Sequence, residues 1–439
     1  MNNPQLNPTA NLARDFTKLE QTPTRDGYGK GLVELGKMNP DIIVLTGDLT
    51  ESTRTHWFKE QFPKRFIEIG VAEQNMMGIA AGLALSGKIP FVSSYAVFCP
   101  GRNWDQLRVS VCYNEANVKI AGAHAGISVG PDGATHQALE DIAITRVLPK
   151  LNVIVPCDSI EAQKATIAST KINGPVYIRL GRAKSPVITT IATPFKIGRA
   201  EIYRQGKDVT IIACGIMVHE AIVAAEKLSK EGIEATVINC HTIKPIDQQT
   251  IISAAKKTKA VITAEEHQVN GGLGSAVAEV LSQKYPVPMK IIGVQDRFGE
   301  SGEPEELMKA FGLTSKEIVA SAKSLLQKTE TCPAEFETEQ FFDRKKLLTE
   351  VHPDLTFKLK SGGIIRNIPQ LKRAMAKMKD EVFTHHVNSA KNDFSNWIKD
   401  VYGDAILAES IKKHTDKELV EKELEKALRQ AFVQQKSRR

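Results

Sequence analysis

The sequence predicts an α/β protein with two doubly wound, mostly parallel sheets, followed by a small, mainly helical module. Three observations lead to this prediction. From about residue 20 to residue 328, short runs rich in Val and Ile alternate with helical patterns, which is typical of parallel sheets covered on both faces. The chain has 439 residues, too many for one ordinary domain. From Pro333 onward, Lys-rich helical patterning replaces the alternation.

These changes in composition divide the chain into four parts. Residues 1–19 are polar, contain two prolines and are expected to form a flexible leader. Residues 20–190 form the first α/β domain and residues 195–328 the second, with a linker containing proline and glycine between them. Residues 333–439 form the helical module, to which the sequence assigns no function.

In the first α/β domain, apolar runs bounded by glycine and proline predict short strands. The strands are expected at residues 42–46, 66–69, 90–95, 118–125, 153–156 and 176–180. Helices are expected at residues 27–38, 76–86, 104–113 and 137–147. Because ligands of such sheets bind beyond the carboxyl ends of the strands, we expect the functional site at that edge.

Polar and aromatic side chains follow the predicted strand ends. They are Asp48, Glu73, Tyr95, Phe98 and His124. Glu73 sits just inside the start of an almost wholly apolar helix. On this stretch alone, the simpler interpretation of Glu73 is a charge that faces the positive end of the helix dipole. The alternative is a carboxyl group held in an apolar pocket, where it binds a ligand nitrogen.

The second α/β domain repeats the same alternation. Its strands are expected at residues 209–213, 235–239, 260–264 and 289–294. A glycine-rich stretch at residues 265–275 joins a strand to a helix, but it lacks the Gly-x-Gly-x-x-Gly spacing of a dinucleotide site. We interpret it as a tight turn.

The helical module shows apolar residues at helical spacing. They are Leu371, Met375, Met378 and Val382, and again Leu424, Leu428 and Ala431. The adjacent His385 and His386 point to different sides of a helix and are therefore a poor metal pair. No metal ligand is predicted in this chain.

Composition narrows the functional class. A charged fraction of 25% and a net charge of +7 fit a globular protein that binds anionic small molecules, and they do not indicate a nucleic-acid or membrane partner. The six cysteines are scattered and form no Cys-x-x-Cys pair, so we expect reduced thiols. No signal pattern or long apolar run occurs, which predicts a cytoplasmic protein.

Several motifs at a specific spacing resemble the C-terminal half of transketolase, from about residue 20 to residue 325. They are Gly70-Val-Ala-Glu-Gln-Asn-Met-Met-Gly78, Ala81-Gly-Leu-Ala-Leu-Ser-Gly-Lys-Ile-Pro-Phe91, Tyr95-Ala-Val-Phe98 and Gly130-Pro-Asp-Gly-Ala-Thr-His-Gln137. The resemblance implies thiamine diphosphate as cofactor and ketol transfer as the reaction. It reverses the order of the two interpretations of Glu73, since the matching glutamate of that family contacts the aminopyrimidine ring of the cofactor.

The resemblance also implies roles near the cofactor. Tyr95 and Phe98 would line the pyrimidine pocket, and Asp48 would lie close to the cofactor. His136 would handle protons near the aminopyrimidine, so that Glu73, His136 and His124 are the candidate catalytic residues. Taken alone, Tyr95 and Phe98 would be ordinary core aromatics.

A further set of residues would bind the substrate. By the same resemblance, His124 and Asp132 contact sugar hydroxyls, whereas Arg25, Ser52 and Arg182 contact the phosphate end. Arginine suits phosphate because its planar donors fit two oxygens. Each of these residues taken alone would be a surface, cap or turn residue. Pro131 stands where many family members have an acidic residue.

One family motif is missing. The Gly-Asp-Gly…Asn motif that binds the cofactor diphosphate through a divalent ion is not found, and the Gly47-Asp48 pair continues into Leu49. The chain therefore resembles the C-terminal subunit of a split transketolase. The resemblance implies an N-terminal partner subunit that holds Mg²⁺ or Ca²⁺, and a homodimer of this chain within a heterotetramer.

The expected reaction is ketol transfer from a ketose phosphate to an aldose phosphate, as in the pentose phosphate pathway. Three alternatives remain open. Two are enzymes to which the chain is also similar: the 1-deoxyxylulose-5-phosphate synthase family and the β-subunit of 2-oxo-acid dehydrogenases. The third alternative is a non-catalytic regulator or scaffold that uses the C-terminal module.

Overall fold

The computed structural model describes residues 6–16, 18–331 and 344–436. The chain forms two compact units, Met1–Pro333 and Ala334–Arg439. Cys332, the first residues of the leader and the first residues of the helical module lie outside the described residues.

Unit 1 contains strands and helices in the alternation that the sequence predicts. The strands are β1 Gln21–Thr22, β2 Ile42–Thr46, β3 Phe66–Glu68, β4 Ile89–Tyr95, β5 Lys119–Ala123, β6 Asn152–Ile154, β7 Val176–Arg179, β8 Ser185–Pro186, β9 Glu201–Arg204, β10 Val209–Ala213, β11 Ala235–Asn239, β12 Thr242–Lys244, β13 Val261–Gln268 and β14 Met289–Val294. The helices are α1 Thr24–Met38, α2 His56–Gln61, α3 Glu73–Leu85, α4 Trp104–Gln106, α5 Asp141–Arg146, α6 Ser159–Ser169, α7 Met217–Ser229, α8 Gln248–Thr258, α9 Leu273–Lys284, α10 Pro304–Ala310 and α11 Ser315–Thr331. A wider π-type helix, Leu107–Tyr113, continues α4.

The first domain has a sheet whose strand order is β12-β6-β7-β5-β4-β2-β3. All neighbouring strands are parallel except β12 and β6. Alternate residues face opposite sides, so that Leu45 and Val92 pack with the apolar side of α3 whereas Val44 and Phe91 pack in the cluster that includes α1 and α6. Both faces are therefore buried, which explains the continuous apolar runs.

The parallel register brings the carboxyl ends of several strands to one edge. Thr46, the last residue of β2, pairs with Glu68 of β3 and with Ser93 of β4. Tyr95 at the end of β4 pairs with Ala123 at the end of β5. The residues that follow these ends are consequently neighbours in space.

The second domain has a sheet of order β14-β13-β10-β11-β9. The pairs among β14, β13, β10 and β11 are parallel, and β9 pairs antiparallel with β11. The α/β fold with two mostly parallel sheets is thereby confirmed. Within these two sheets, two strands were not predicted from the sequence. They are β9 and β12, and β12 leaves the second domain to pair with β6 of the first sheet.

The described part of the leader is packed, which differs from the flexible segment that we expected. The Asn7 amide donates to the Tyr203 carbonyl at 2.9 Å, and the Ala13 amide donates to the Ile188 carbonyl at 2.9 Å. Ala10 is buried in the core of the second domain. Scattered apolar residues in this polar stretch anchor it, and their spacing has no helix or strand period that would have revealed this.

Unit 2 is mainly helical, as predicted. Its elements are β15 Phe357–Lys358, β16 Ile364–Ile365, α12 Ile368–Lys377, α13 Asp380–His386, α14 Asp393–Trp397, α15 Ala405–Lys412 and α16 Lys417–Lys436. Leu371, Met375 and Met378 lie in its core, but α12 ends before Met378, so the predicted apolar face spans two helices. His386 is buried and its Nδ1 lies 3.1 Å from an Asp393 carboxylate oxygen.

A buried ion pair of the first domain lies against the second domain. Nε of Arg179 at the end of β7 donates to Asp141 of α5 at 2.9 Å, and both side chains are almost fully buried. Nη2 of the same guanidinium donates to the carbonyl of Ala138 and, at 2.8 Å, to the carbonyl of Glu266 in the second domain. Tyr177 donates its hydroxyl to Asp141.

In the described part of the chain, no helix combines the length and the apolar character needed to cross a membrane.

We predict that Asp141→Ala lowers the free energy of unfolding of the full chain by about 3–5 kcal/mol, because it leaves the Arg179 charge buried and unpaired. Chemical denaturation measures the loss. The matched control is Asp41→Ala, which breaks the half-exposed Lys88–Asp41 pair and should cost about 1 kcal/mol or less. Equal losses in the two variants would contradict a structural role for the buried pair.

Candidate active site

Glu73 is the first residue of α3, and its side chain is only 1% exposed. Gly70, with φ of +76°, turns the chain between β3 and this helix, a conformation that favours glycine. Oε2 of Glu73 accepts a hydrogen bond from Nη1 of Arg102 at 2.8 Å. A carboxylate this deeply buried requires a partner, and Arg102 supplies it.

Four aromatic rings form a cluster beside this carboxylate. Tyr95 stacks on His124 with ring centroids 3.8 Å apart. Phe98 lies nearly parallel to Tyr95 at 6.1 Å. His136 presents its ring edge-on to both Tyr95 and Phe98, at 5.9 and 5.6 Å. The ends of β4 and β5 and the turn before α5 thus bring the predicted aromatic and histidine residues together.

Polar groups extend the cluster on the side of Tyr95. The Tyr95 hydroxyl donates to the Ser52 hydroxyl at 3.1 Å, and Nη1 of Arg25 donates to the Ser52 carbonyl at 2.9 Å. The Arg25 Nε is buried and has no hydrogen-bond partner among the described residues. Burial and the nearby charge of Arg54 lower the pKa of Arg25, so this guanidinium lies in a positive, partly dehydrated environment.

Arg182 and Asp132 form the other side of the site. Nη1 of Arg182 donates to the Val129 carbonyl at 3.1 Å, and its Nε lies 3.9 Å from Asp132. The charges of Arg25 and Arg182 both act on His124. The two arginines that were predicted from separate parts of the sequence therefore belong to one site.

His124 is held in its neutral form. Burial, followed by repulsion from Arg25 and Arg182, lowers the pKa of this imidazole to about 2. Its Nδ1 is buried without a hydrogen-bond partner in the described structure. The residue has φ of +54°, a rare backbone conformation outside glycine. A neutral imidazole with an unpaired nitrogen can bind a hydroxyl group.

Asp48 is exposed and follows Gly47, which approaches Glu73. Its backbone amide donates to Oε1 of Glu68 at 2.7 Å. The same carboxylate accepts from the amide of Gly70 and from the hydroxyl of Thr50. Glu68 thus fixes the two turns that flank the site, although the structure places Asp48 in no direct contact with the aromatic cluster.

The second domain holds the segment that carries His124, Asp132 and His136. We call this segment, residues 124–137, the site loop. The Glu266 carboxylate accepts from the Ser128 amide, and Gln137 donates to the Glu300 carbonyl at 2.8 Å. Gly126, with φ of +90°, lies so close to Glu266 that a Cβ there would be 2.3 Å from its carboxyl carbon. This contact fixes the loop on the second domain.

Sequence reasoning missed three residues of this site. They are Arg102, Arg54 and Glu68. Glu68 could have been found, since it is a charged residue at the end of a strand beside the predicted site. Arg102 was left unassigned, because only the folded turn after Cys99 brings it to Glu73. No group of three or more potential metal ligands lies together among the described residues.

Comparison with protein families identifies two domains. Residues 20–187 match the model of the transketolase pyrimidine-binding domain, and residues 198–318 match the transketolase C-terminal domain. The chain belongs to the transketolase family. It has homologues among the subunits of split transketolases.

Two curated relatives match this chain over almost their whole length. The chain is 44% identical to the 6-deoxy-6-sulfo-D-fructose transketolase subunit SqwH of Clostridium sp. (strain MSTE9), over 71% of this chain and 97% of that protein. It is 39% identical to a subunit of the apulose-4-phosphate transketolase of Phocaeicola vulgatus, over 69% of this chain and 97% of that protein.

A solved structure shares the fold of the same region. It is a split-gene transketolase in an inactive β4 tetramer, with 49% identity and a TM-score of 0.66, and the match covers 70% of this chain and 99% of that chain. Unit 2 lies outside the matched transketolase domains.

The transketolase domains imply the use of thiamine diphosphate, and the residues of the site fit its aminopyrimidine ring. Glu73 has a buried carboxyl group and Phe98 an aromatic face near it, and these are two kinds of group that an aminopyrimidine ring can bind. The described residues offer no equivalent cluster for a divalent ion.

We predict that the ring signals of His124 do not titrate between about pH 5 and pH 8, because its pKa lies near 2 and the neutral form persists throughout. NMR of histidine-labelled protein measures this, with His124→Asn to assign the signal. Arg182→Gln should raise the pKa of His124. Since the folded-state pKa lies below the unfolded value of about 6.5, His124 should destabilise the fold as pH falls below that value. Titration of the wild-type signal near pH 6.5 would show that the imidazole is not held neutral.

Proposed function

We propose that this chain is the C-terminal subunit of a split transketolase, which transfers a two-carbon ketol group between sugars that carry an anionic end group. The observation that carries the proposal is the convergence at one sheet edge of a buried carboxyl group, an aromatic cluster and two arginines that share one positive environment. The first two suit an aminopyrimidine, and the third suits an anionic substrate.

In this proposal Glu73 binds a ring nitrogen of the aminopyrimidine with its carboxyl group, and Phe98 packs against the ring. His136, whose ring lies edge-on to Phe98, is proposed to accept or return a proton beside the cofactor. Thiamine diphosphate supplies the nucleophilic carbon that accepts the ketol group when it is bound. Asp48 is proposed to lie near the cofactor through the turn that Glu68 fixes.

The substrate end of the site is formed by His124, Asp132, Ser52, Arg25 and Arg182. The neutral His124 and Asp132 bind hydroxyl groups. Arg25 and Arg182 bind the anionic end. Burial, followed by the charges of Arg54 and Arg182, lowers the pKa of Arg25, and a bound negative charge would relieve this strain on the guanidinium. Phosphate and sulfonate both meet this requirement, and the two relatives named for a sulfonated and a phosphorylated sugar fit it.

We further propose that an N-terminal subunit completes the enzyme. In this proposal the partner holds the diphosphate and a divalent ion such as Mg²⁺, because the sequence lacks the Gly-Asp-Gly…Asn motif that does so in the family. As the resemblance to transketolase implies, we also propose a dimer of this chain within a heterotetramer. The inactive β4 tetramer of the similar split-gene transketolase is consistent with this requirement.

We predict that Glu73→Gln lowers kcat of the co-expressed complex by about 10²–10⁴-fold, because the amide cannot exchange a proton with the ring nitrogen. The assay couples a ketose phosphate donor to an aldose phosphate acceptor in the presence of thiamine diphosphate and Mg²⁺. Glu60→Gln, on the exposed side of α2, is the matched control and should retain full activity. A Glu73→Gln enzyme with normal kcat would disprove the assigned role.

We predict that Arg182→Gln raises KM for the anionic sugar by about 10–100-fold, since a charge-assisted hydrogen bond is lost. Phosphorylated and sulfonated donors should be compared in parallel, because the larger loss identifies the end group that Arg182 binds. Arg373→Gln on the surface of unit 2 is the control. An unchanged KM for both donors would place the anionic end elsewhere.

A further inference from the structure

Arg102 contacts two groups that, in the proposed function, bind the cofactor. Its Nη1 donates to the Glu73 carboxylate at 2.8 Å, and its guanidinium carbon lies 4.5 Å from the centroid of the Phe98 ring. The carboxylate and the ring are the groups that an aminopyrimidine would bind. A planar cation and a planar heterocycle therefore have the same two requirements at this point.

The two members of the ion pair differ strongly in their exposure to solvent. The Glu73 side chain is 1% exposed and the Arg102 side chain is 45% exposed. An ionised carboxylate cannot stay buried without a partner, whereas a half-exposed guanidinium can return to water at low cost. Arg102 therefore satisfies Glu73 when no ligand is present. A ligand that hydrogen-bonds Glu73 can take the place of the guanidinium.

Hydrogen bonds hold the backbone around Arg102, whereas its side chain is half-exposed. The Arg102 amide donates to the Phe98 carbonyl at 2.9 Å, and the next side chain, Asn103, is fully buried and donates to the Glu73 carbonyl at 3.1 Å. These bonds hold the Arg102 Cα beside α3 whichever way the guanidinium points. Departure of the guanidinium requires only rotation of the side chain.

We propose that Arg102 is a positioning residue that competes with the cofactor: it holds the Glu73 carboxylate until the aminopyrimidine displaces it. The inference rests on the proposed function, since it assigns Glu73 to the aminopyrimidine. It adds that binding includes an exchange of hydrogen-bond partners at Glu73. Arg102 thereby weakens cofactor binding and stabilises the chain before the cofactor is bound.

The test uses the full chain co-expressed with its N-terminal subunit, and it measures the affinity for thiamine diphosphate by titration calorimetry in the presence of Mg²⁺. Arg102→Met retains apolar packing on Phe98 and removes all donors. We expect it to bind thiamine diphosphate about tenfold more tightly, since the competing charge-assisted bond is absent. Arg102→Lys retains a positive charge and should fall between Arg102→Met and wild type. Arg108→Gln, an exposed arginine of the same segment, is the matched control and should bind like wild type.

A second measurement separates competition from a purely structural role. Arg102→Met should lower the midpoint of thermal unfolding of the cofactor-free complex, because Glu73 loses its partner. Saturating thiamine diphosphate should abolish that difference. A merely structural arginine would destabilise the free and the bound complexes equally, and that result would overturn the proposal.

The outcomes distinguish this inference from the proposed function. Unchanged or weaker binding by Arg102→Met, together with normal binding by the wild-type complex, overturns the role of Arg102 alone. No binding by the wild-type complex overturns both. Tighter binding together with a stability loss confined to the free complex supports both.

Discussion

The position of the site loop between the two domains of unit 1 depends on the hydrogen bonds of the Arg179 guanidinium. This guanidinium extends from the end of β7, pairs with Asp141 at the start of α5, and donates to the backbone at Ala138 and at Glu266. A single side chain therefore joins the first sheet, the segment that follows the site loop and the second domain. Because it is buried, replacing any one of these acceptors with water is costly.

The second domain contributes to the site by holding the site loop in place. Glu266 and the Glu300 carbonyl hold the site loop from outside, so that Asp132 and His136 project from a segment whose two ends are fixed. Gly126 allows this close approach, since any side chain there would meet the Glu266 carboxyl group. Glu266 lies in the stretch 265–275, which the sequence patterns identify only as a tight turn. Its role in holding the site loop is visible only in the folded structure.

The sequence could predict the sheets because their central strands are buried on both sides and read as unbroken apolar runs. Strands β10, β11 and β14 were predicted with the bounds that the structure has. The prediction ended β13 too early, because the strand continues through the buried polar residues Glu265, Glu266 and His267. The short antiparallel strands β9 and β12 carry too few residues to leave a periodic signal. The convergence of the site residues followed from strand topology, whereas the Glu73–Arg102 contact depends on side-chain geometry that no spacing encodes.

Strand β12 has a mechanical consequence. It belongs by chain order to the second domain, yet it forms the edge of the first sheet, where Lys244 also donates to the carbonyls of Arg146 and Leu148. Two domains that share a sheet cannot swing apart without breaking backbone hydrogen bonds. A hinge motion that separates them is therefore disfavoured. A ligand of this sheet edge would therefore have to enter without a hinge opening between the two domains.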